Sequence, residues 1–448
     1  MKGRVLICSP SHAVYGGVET IVADLCRHLP AFGWDTLLGL AKGARFNDVT
    51  RYRAAYPDVP IVEIDGVRGT RQARREGLLE TVQRIRPDIV LIARLFDAYH
   101  VVSVLKRSHG RPRLAVTIRG YEPHYLFDAQ LYRDYVDLCV ADGRMICRAA
   151  VEWVGLPEER VESIPGGVRP PEVEVSAREP GDLVRLCYVG RLDAGDKRIR
   201  DLVRLLEILE EWSFPYRLDI VGTGPAASEV RARLARLVEL GRVSFHGWLN
   251  HEALYRKIFP VVDCLVHFSP SEGVTIAPRE AMTHGVVPVV SRFNGLAVER
   301  QFIHEMNALT FPVGDVEAAA ACVRRLFEEP GLLRRLSENA MQSQRGRYSF
   351  DGAMRAWAEA FDRCLAQPAR TGDLPRVPFP PDGRLTRAGL SPWLAQRLRD
   401  LLGRHHDHSD PGSEWPTGSG LMTPEAADFI RRFGASLEAA CAEPTVLG

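Results

Sequence analysis

The chain has 448 residues, enough for two or three domains at roughly 100–200 residues each. Hydrophobic residues make up 46% and charged residues 26%, a balance that excludes collagen, coiled-coil and wholesale disorder. The 58 basic residues meet 57 acidic ones, so no nucleic-acid partner is expected, since dedicated binders are far more basic.

Nine scattered cysteines, with no C-x-x-C pair or zinc-like cluster, fit a reduced cytoplasmic compartment. No apolar run reaches the 18 or so residues that a spanning helix needs, and the apolar core of MKGRVLICSPSH is too short for a leader. Only five of the basic residues are lysines (2, 42, 106, 197 and 257), which makes each worth inspecting.

Residues 4–165 alternate β-rich runs with amphipathic stretches. Strands are expected at 5–9, 35–40, 59–64, 88–93, 113–118, 138–141 and 161–164, with helices near 18–31, 70–85, 97–108 and 143–154. Continuous apolar strands separated by helices read as a parallel sheet covered on both faces. PGGVRPPEVEVSAREPGD (165–182) is rich in Pro, Gly and Glu and reads as a connection. The alternation then restarts, with strands expected at 185–190, 216–222, 242–247, 263–269, 286–291 and 308–312. Helices are expected near 197–212, 225–240, 251–258, 276–284, 316–328 and from 330 to about 366. Residues 367–385 are Pro/Gly-rich again, and helical patterns at 386–404 and 423–442 flank a loop at 409–420. This predicts an N-terminal domain over 1–168, a linker at 169–182, a second domain over 183–366 and a helical, partly irregular extension over 367–448. The fold class is α/β: two Rossmann-like parallel-sheet domains facing a cleft, with ligands at the carboxyl ends of the strands.

The most informative stretch is FSPSEGVTIAPREAMTHGVVPVV (268–290). Glu272 closes a loop after a strand, and Glu280 lies three places into a helix whose first turn holds Pro278, a residue suited to that turn. Backbone N–H groups of residues 273–276, including Gly273, Val274 and Thr275, then face outward from the helix start, where exposed donors and the helix dipole attract phosphate. The flanking carboxylates accept hydrogen bonds from sugar hydroxyls.

SEGVTIAPREAMTHGVVPVV resembles the E-x7-E signature of retaining GT-B glycosyltransferases of the family-4 (group 1) type. The resemblance implies that Glu272 contacts the donor sugar and Glu280 the ribose hydroxyls of the nucleotide. YVGRLDAGDKRIRDLV (188–203) resembles the family's Gly-Arg-Leu–loop–Lys–helix segment, which makes Arg191 and Lys197 the cations that stabilise a leaving nucleoside diphosphate. SPSHAVYGGVETIVADL (9–25) resembles its Gly-Gly loop, where Gly16 and Gly17 would admit a substrate or diphosphate close to the backbone and tolerate unusual φ; Glu19 reads as a helix-start acid. IVGTGP (220–225), FHGWLNHEALYRKI (245–258), FNGLAVE (293–299) and NALTFPVGD (307–315) complete the similarity over about residues 4–366. Trp248 reads as a core residue, with a nucleobase contact as the other reading.

There are departures. Arg119 stands where many relatives have His, and arginine cannot shuttle protons near neutral pH. Gly166 stands where relatives commonly have Asn, Thr275 where many have Gly, and Arg198 where relatives commonly have Gly, so that it would crowd the loop.

The resemblance implies retaining, metal-independent transfer of a sugar from a nucleotide-diphosphate donor to an acceptor hydroxyl. A UDP-sugar is the first expectation for the donor and a GDP-sugar the second. No cofactor is required, and the acceptor is a glycan, a lipid-linked sugar or a small molecule. The catalytic set would be Arg191, Lys197, Glu272 and Arg119. The rivals are a non-catalytic sugar-nucleotide binder, motivated by Arg119, Gly166 and Thr275, and a GT-B sugar-nucleotide epimerase. A Rossmann dehydrogenase has little support, since no G-x-G-x-x-G follows the first strand.

Two further clusters stand apart. His405, His406 and His408 lack the partners of a ligand pattern and read as a polar turn. Arg68, Arg71, Arg74 and Arg75 share one helix in a region, 1–113, with 18 basic and 11 acidic residues. They read as a solvated face or as a peripheral contact with anionic lipid at the inner face of the membrane.

Overall fold

The computed structural model describes residues 1–345, 348–376, 379–416, 418 and 420–442. Parts of the loops expected at 367–385 and 409–420, namely 377–378, 417 and 419, and the end of the tail, 443–448, lie outside them.

The first unit is built on a seven-stranded sheet. Its strands are β1 (Gly3–Ser9), β2 (Trp34–Lys42), β3 (Ile61–Asp65), β4 (Ile89–Ile92), β5 (Arg113–Ile118), β6 (Val136–Ala141) and β7 (Val161–Ser163). The order is β3-β2-β1-β4-β5-β6-β7, and every pairing is parallel. Val5, Leu6, Ile7 and Cys8 of β1 are all buried, as a central strand covered by helices on both faces requires. The second unit repeats the plan with β8 (Val184–Val189), β9 (Tyr216–Val221), β10 (Val243–Gly247), β11 (Cys264–His267), β12 (Val287–Ser291) and β13 (Leu309–Phe311). Here the order is β10-β9-β8-β11-β12-β13, again parallel. All thirteen strands fall on the expected runs. Short helices at Val49–Ala55, Pro123–Leu131, Leu296–Glu299 and Pro411–Glu414 were not expected, because four to nine residues hold too few turns to show a 3.6-residue period. The helix expected over 225–240 is two, Ala227–Arg233 and Ala235–Glu239.

The compact units divide the chain differently from the boundaries read in the sequence. Met1–Ile164 joins Met354–Gly434, and Pro165–Ala353 joins the chain from Ala435. Residues 169–182 are docked on the second unit: the Arg178 guanidinium donates to the carbonyls of Phe259 (2.7 Å), Pro260 (2.8 Å) and His284 (2.9 Å). Nor is the tail a mere appendage. The Glu414 carboxylate accepts from the backbone amides of Arg45 (2.8 Å), Phe46 (2.9 Å) and Asn47 (2.8 Å), and from the Asn47 side chain (2.9 Å). Trp415 is buried and donates to the Lys42 carbonyl at 3.1 Å; a Cβ at Gly66 would collide with its ring. The tail thereby covers loops that follow β2 and β3 in the first unit.

Candidate active site

In the second sheet β8 lies between β9 and β11, so the strand order reverses beside it. The carboxyl ends of β8 and β11 define the crevice where open α/β sheets take ligands. Arg191 and Lys197 follow β8, and Glu272 follows β11. The geometry of the first loop depends on glycine. Gly222, at φ 132°, sits where a Cβ would strike the Gly190 carbonyl, and the Leu192 amide donates to the Thr223 carbonyl at 2.9 Å. The Gly-x-Gly-Pro turn thus clamps the Arg191 loop.

Lys197 hydrogen-bonds Glu272 Oε1, and His267, the last residue of β11, reaches the same oxygen at 3.2 Å. Burial alone would raise the Glu272 carboxyl, but Lys197 and then His267 outweigh it and hold the group well below the usual carboxylate range. Arg191 does not join them. It is exposed and pairs with Asp196, a residue of its own loop. Arg198 lies in the left-handed region at φ 45°, ψ 42° as the N-cap of helix Ile199–Glu211. That conformation favours glycine, which explains the Gly of relatives. The Arg198 side chain makes a bidentate pair with Asp201 at 2.7 and 3.2 Å rather than crowding the loop.

Glu280 is buried in the first turn of helix Ala277–Thr283. Tyr255 donates to its Oε1 at 3.0 Å and His251 Nδ1 lies 2.8 Å from the same atom. Burial opposes its ionisation, and the His251 contact, followed by Tyr255, brings its pKa below the ordinary value. The loop between the two acids is pinned from the other side. Gln301 accepts from the Thr275 amide at 3.1 Å and donates to the Gly273 carbonyl at 2.9 Å, while the Glu272 amide donates to the Asn294 carbonyl at 3.1 Å. The Thr275 N–H is therefore committed to protein instead of facing outward as its place before the helix suggested. Gly273, Val274 and Thr275 are all buried. Gly166 gives its carbonyl to the buried Arg279 at 2.7 Å, a role open to any residue.

In the first unit, Gly16 is the N-cap of helix Gly17–His28 with φ 164°. This is extended backbone open to any residue, so the expected need for an unusual φ is not met there. Gly17 opens the helix, and both glycines are exposed. Glu19 is buried and paired with Arg94. Arg119 donates to the Ile164 carbonyl at 2.7 Å and to Thr117 at 3.0 Å, and it lies 5.2 Å from the Trp357 ring centre. Its guanidinium thus ties the end of β5 to the end of β7. Trp248 is 42% exposed, which corrects the core reading.

The arginine cluster at 68–75 is not a solvated basic face. Arg74 and Arg75 pair with the buried Asp97 at 2.6 and 3.3 Å. Arg71 donates to the Pro380 carbonyl at 3.0 Å, and Arg68 pairs with Glu76 (2.9 Å) and Asp400 (3.1 Å). Neutralised by acids and covered by the tail, these side chains are paired within the protein. His408 lies 2.6 Å from the Gly69 carbonyl, and among the described residues no group of His, Cys, Asp and Glu could hold a metal ion. No described helix is long and apolar enough to cross a membrane.

His251, Tyr255, His267 and Gln301 were missed in the sequence. His251 and Tyr255 sit four places apart on one helical segment, continued as a π-helix over Leu254–Ile258, and such insertions gather at functional sites. That spacing was legible. The Gln301 contact bridges 26 residues and was not.

Two family models match the chain: glycosyltransferase family 4 over residues 15–172 and glycosyl transferases group 1 over residues 184–329. The lipopolysaccharide core biosynthesis glycosyltransferase LpsD of Rhizobium meliloti is 27% identical over 198 residues, 44% of this chain and 55% of that protein. A glycogen synthase of Bordetella parapertussis is 27% identical over 224 residues, 47% of this chain and 42% of that one. The chain thus spans about half the length of the curated relatives it matches. Among solved structures, HepE of Anabaena in complex with UDP-glucose superposes with a TM-score of 0.63 at 17% identity, covering 80% of this chain and 99% of that one. Sucrose-phosphate synthase of Thermosynechococcus elongatus gives 0.65 at 18%, covering 81% and 99%. With a family model on each half and the matching fold in both sheets, the chain belongs to glycosyltransferase family 4, the group 1 glycosyl transferases, and has their GT-B fold.

Proposed function

We propose that the protein is a retaining glycosyltransferase that moves a sugar from a nucleoside-diphosphate donor to an acceptor hydroxyl. The observation that carries this reading is the Lys197–Glu272–His267 cluster at the reversal point of the second sheet. As the bond from the anomeric carbon to the diphosphate breaks and one to the acceptor oxygen forms, negative charge grows on the leaving phosphate. A fixed ammonium beside that position lowers the barrier. Lys197 supplies it, and Arg191 adds a second cation by releasing Asp196. The contacts of Glu272 and Glu280 fall on Oε1 in each case, so donor hydroxyls would take the other oxygens: those of the sugar at Glu272 and those of the ribose at Glu280. Glu272 is ionised at neutral pH and acts here as an acceptor for hydroxyl groups, with no covalent role assigned.

A UDP-sugar is the preferred donor, supported by the UDP-glucose held by HepE, with a GDP-sugar second. A non-catalytic sugar-nucleotide binder is the rival. It draws on one observation: Arg119 is committed to Thr117 and the Ile164 carbonyl and brings no titratable group to its position. The test is a thermal-shift screen of UDP, GDP, ADP and dTDP sugars, where binding stabilises by RT ln(1 + [L]/Kd), with donor hydrolysis and transfer measured in parallel. Glu280→Ala is expected to weaken donor binding about tenfold or more, and Lys197→Ala to slow turnover about 100-fold with less effect on binding. Normal turnover in both variants overturns the assignment; tight donor binding without any turnover establishes the rival.

A further inference from the structure

The first unit carries an apolar patch that nothing in the described chain covers. On helix Pro392–Leu401 and its C-cap, Trp393 is 55% exposed, Leu394 44%, Leu401 82% and Leu402 64%. Positions 393, 397 and 401 follow the i, i+4, i+8 spacing and share one face, with Leu394 and the C-cap Leu402 one position on from its two ends. The opposite face is anchored. Ala395, Gln396 and Arg399 are buried, Gln396 hydrogen-bonds Thr70, and the helix packs on Arg71–Ile85. The exposed face is therefore held outward by its own attachment.

The charge around this face is one-sided. Residues 384–404 hold five arginines and a single acid, Asp400. That acid is turned to Arg68 at 3.1 Å and Gln396 at 2.7 Å. Arg399 points inward to the Asp382 carbonyl, and Asp382 in turn accepts from the Arg71 amide at 3.0 Å. Arg384, Arg387, Arg397 and Arg404 are exposed and form no ion pair among the described residues. Arg397 lies 5.5 Å from the Trp393 ring centre.

We propose that this helix is a membrane-docking surface for an anionic bilayer, with Trp393, Leu394, Leu401 and Leu402 entering the headgroup boundary and the four arginines pairing with lipid phosphates. Three physical features meet here. An exposed contiguous apolar patch rimmed by polar groups marks an interaction surface. Trp and Leu on one face with unpaired arginines around them is the composition of interfacial helices. Long arginine side chains keep their heads at the phosphate level while their stems stay apolar. A soluble acidic protein would meet the charges but would not need exposed leucines at the helix end, where Leu401 is 82% and Leu402 64% exposed. The surface lies on the tail, not on the 70–85 helix whose arginines are spent on Asp97, Glu76 and Asp400.

The test is co-sedimentation of the full chain with vesicles of phosphatidylglycerol and phosphatidylcholine in equal parts, against pure phosphatidylcholine. Binding is expected to the anionic vesicles and to fall steeply as salt rises from about 0.1 to about 0.5 M. Arg397→Gln with Arg404→Gln is expected to weaken it about 25-fold, at about fivefold per charge, and Leu401→Ser with Leu402→Ser about tenfold or more. All four positions are exposed, so unchanged thermal unfolding is the control for folding. Equal binding by parent and variants, equal binding to neutral vesicles, or no binding by the parent overturns the proposal. So does a concentration-dependent dimer in analytical ultracentrifugation that the leucine variant abolishes, which assigns the patch to a second copy.

Discussion

Each unit holds one lysine–carboxylate pair at its heart, and the two are opposites. Lys106 and Asp137 in the first unit are 2.5 Å apart, with both side chains 0% exposed. The chain supplies further partners: Lys106 also donates to the Tyr135 carbonyl at 2.7 Å, and Asp137 accepts from the Leu114 amide and the Arg370 amide, each at 2.8 Å. Lys197 and Glu272 in the second unit keep 24% and 17% of their side-chain surface, and their partners crowd onto one carboxylate oxygen. The same chemistry is a rivet in one place and, under the proposed function, a receptor in the other. The difference lies in whether the chain itself fills the remaining hydrogen-bonding positions.

Lys106→Met tests the rivet most severely. It leaves a buried carboxylate without its cation and is expected to cost about 3–5 kcal/mol of stability, read as a lower denaturant midpoint, whereas Lys197→Ala, whose carboxylate partner keeps His267 and part of its solvent exposure, should lower that midpoint less while slowing turnover. If Lys197→Ala destabilises as much as Lys106→Met, the contrast between the pairs is false. A milder version concerns Glu414, whose carboxylate fills a cradle of three backbone amides. Glu414→Ala is expected to cost about 2–3 kcal/mol, as charged hydrogen bonds do when a buried set loses its acceptor, without changing donor affinity. A loss of donor binding with unchanged melting would contradict the structural role. The smallest effect is at Arg198. Glycine there relieves left-handed strain of about 1–2 kcal/mol and gives up a partly exposed pair with Asp201 of about 0–1 kcal/mol. Arg198→Gly is therefore expected to raise stability by about 1 kcal/mol, measured by equilibrium unfolding; a fall would show that the ion pair outweighs the backbone.

Much of this was legible in the residues. Both parallel sheets announced themselves because buried strands need unbroken apolar runs such as VLICS and DCLVHFS, and crossover helices need amphipathic stretches of at least three turns. Glu272 and Lys197 were legible because each closes a loop directly after a strand, a position set by local chain geometry. Their meeting also follows from β8 and β11 being neighbours, which the order of a doubly wound sheet implies, whereas the role of His267 beside them was not read. The helices of the tail were legible, but its contacts were not. Residues 405–416 have no periodicity, and nothing local says that Glu414 enters the amides of residues 45–47 or that Trp415 packs over Gly66. Contacts that span more than 360 residues depend on which open surface the folded unit leaves, and so does the fate of the arginines at 68–75, which look solvated until acids from elsewhere reach them. The local alphabet of strand, turn and helix was thus determined by the sequence alone, since it reflects hydrophobic period and backbone preference. Which charges are spent within the protein and which stay open was decided only in the tertiary structure, because that depends on long-range desolvation and pairing.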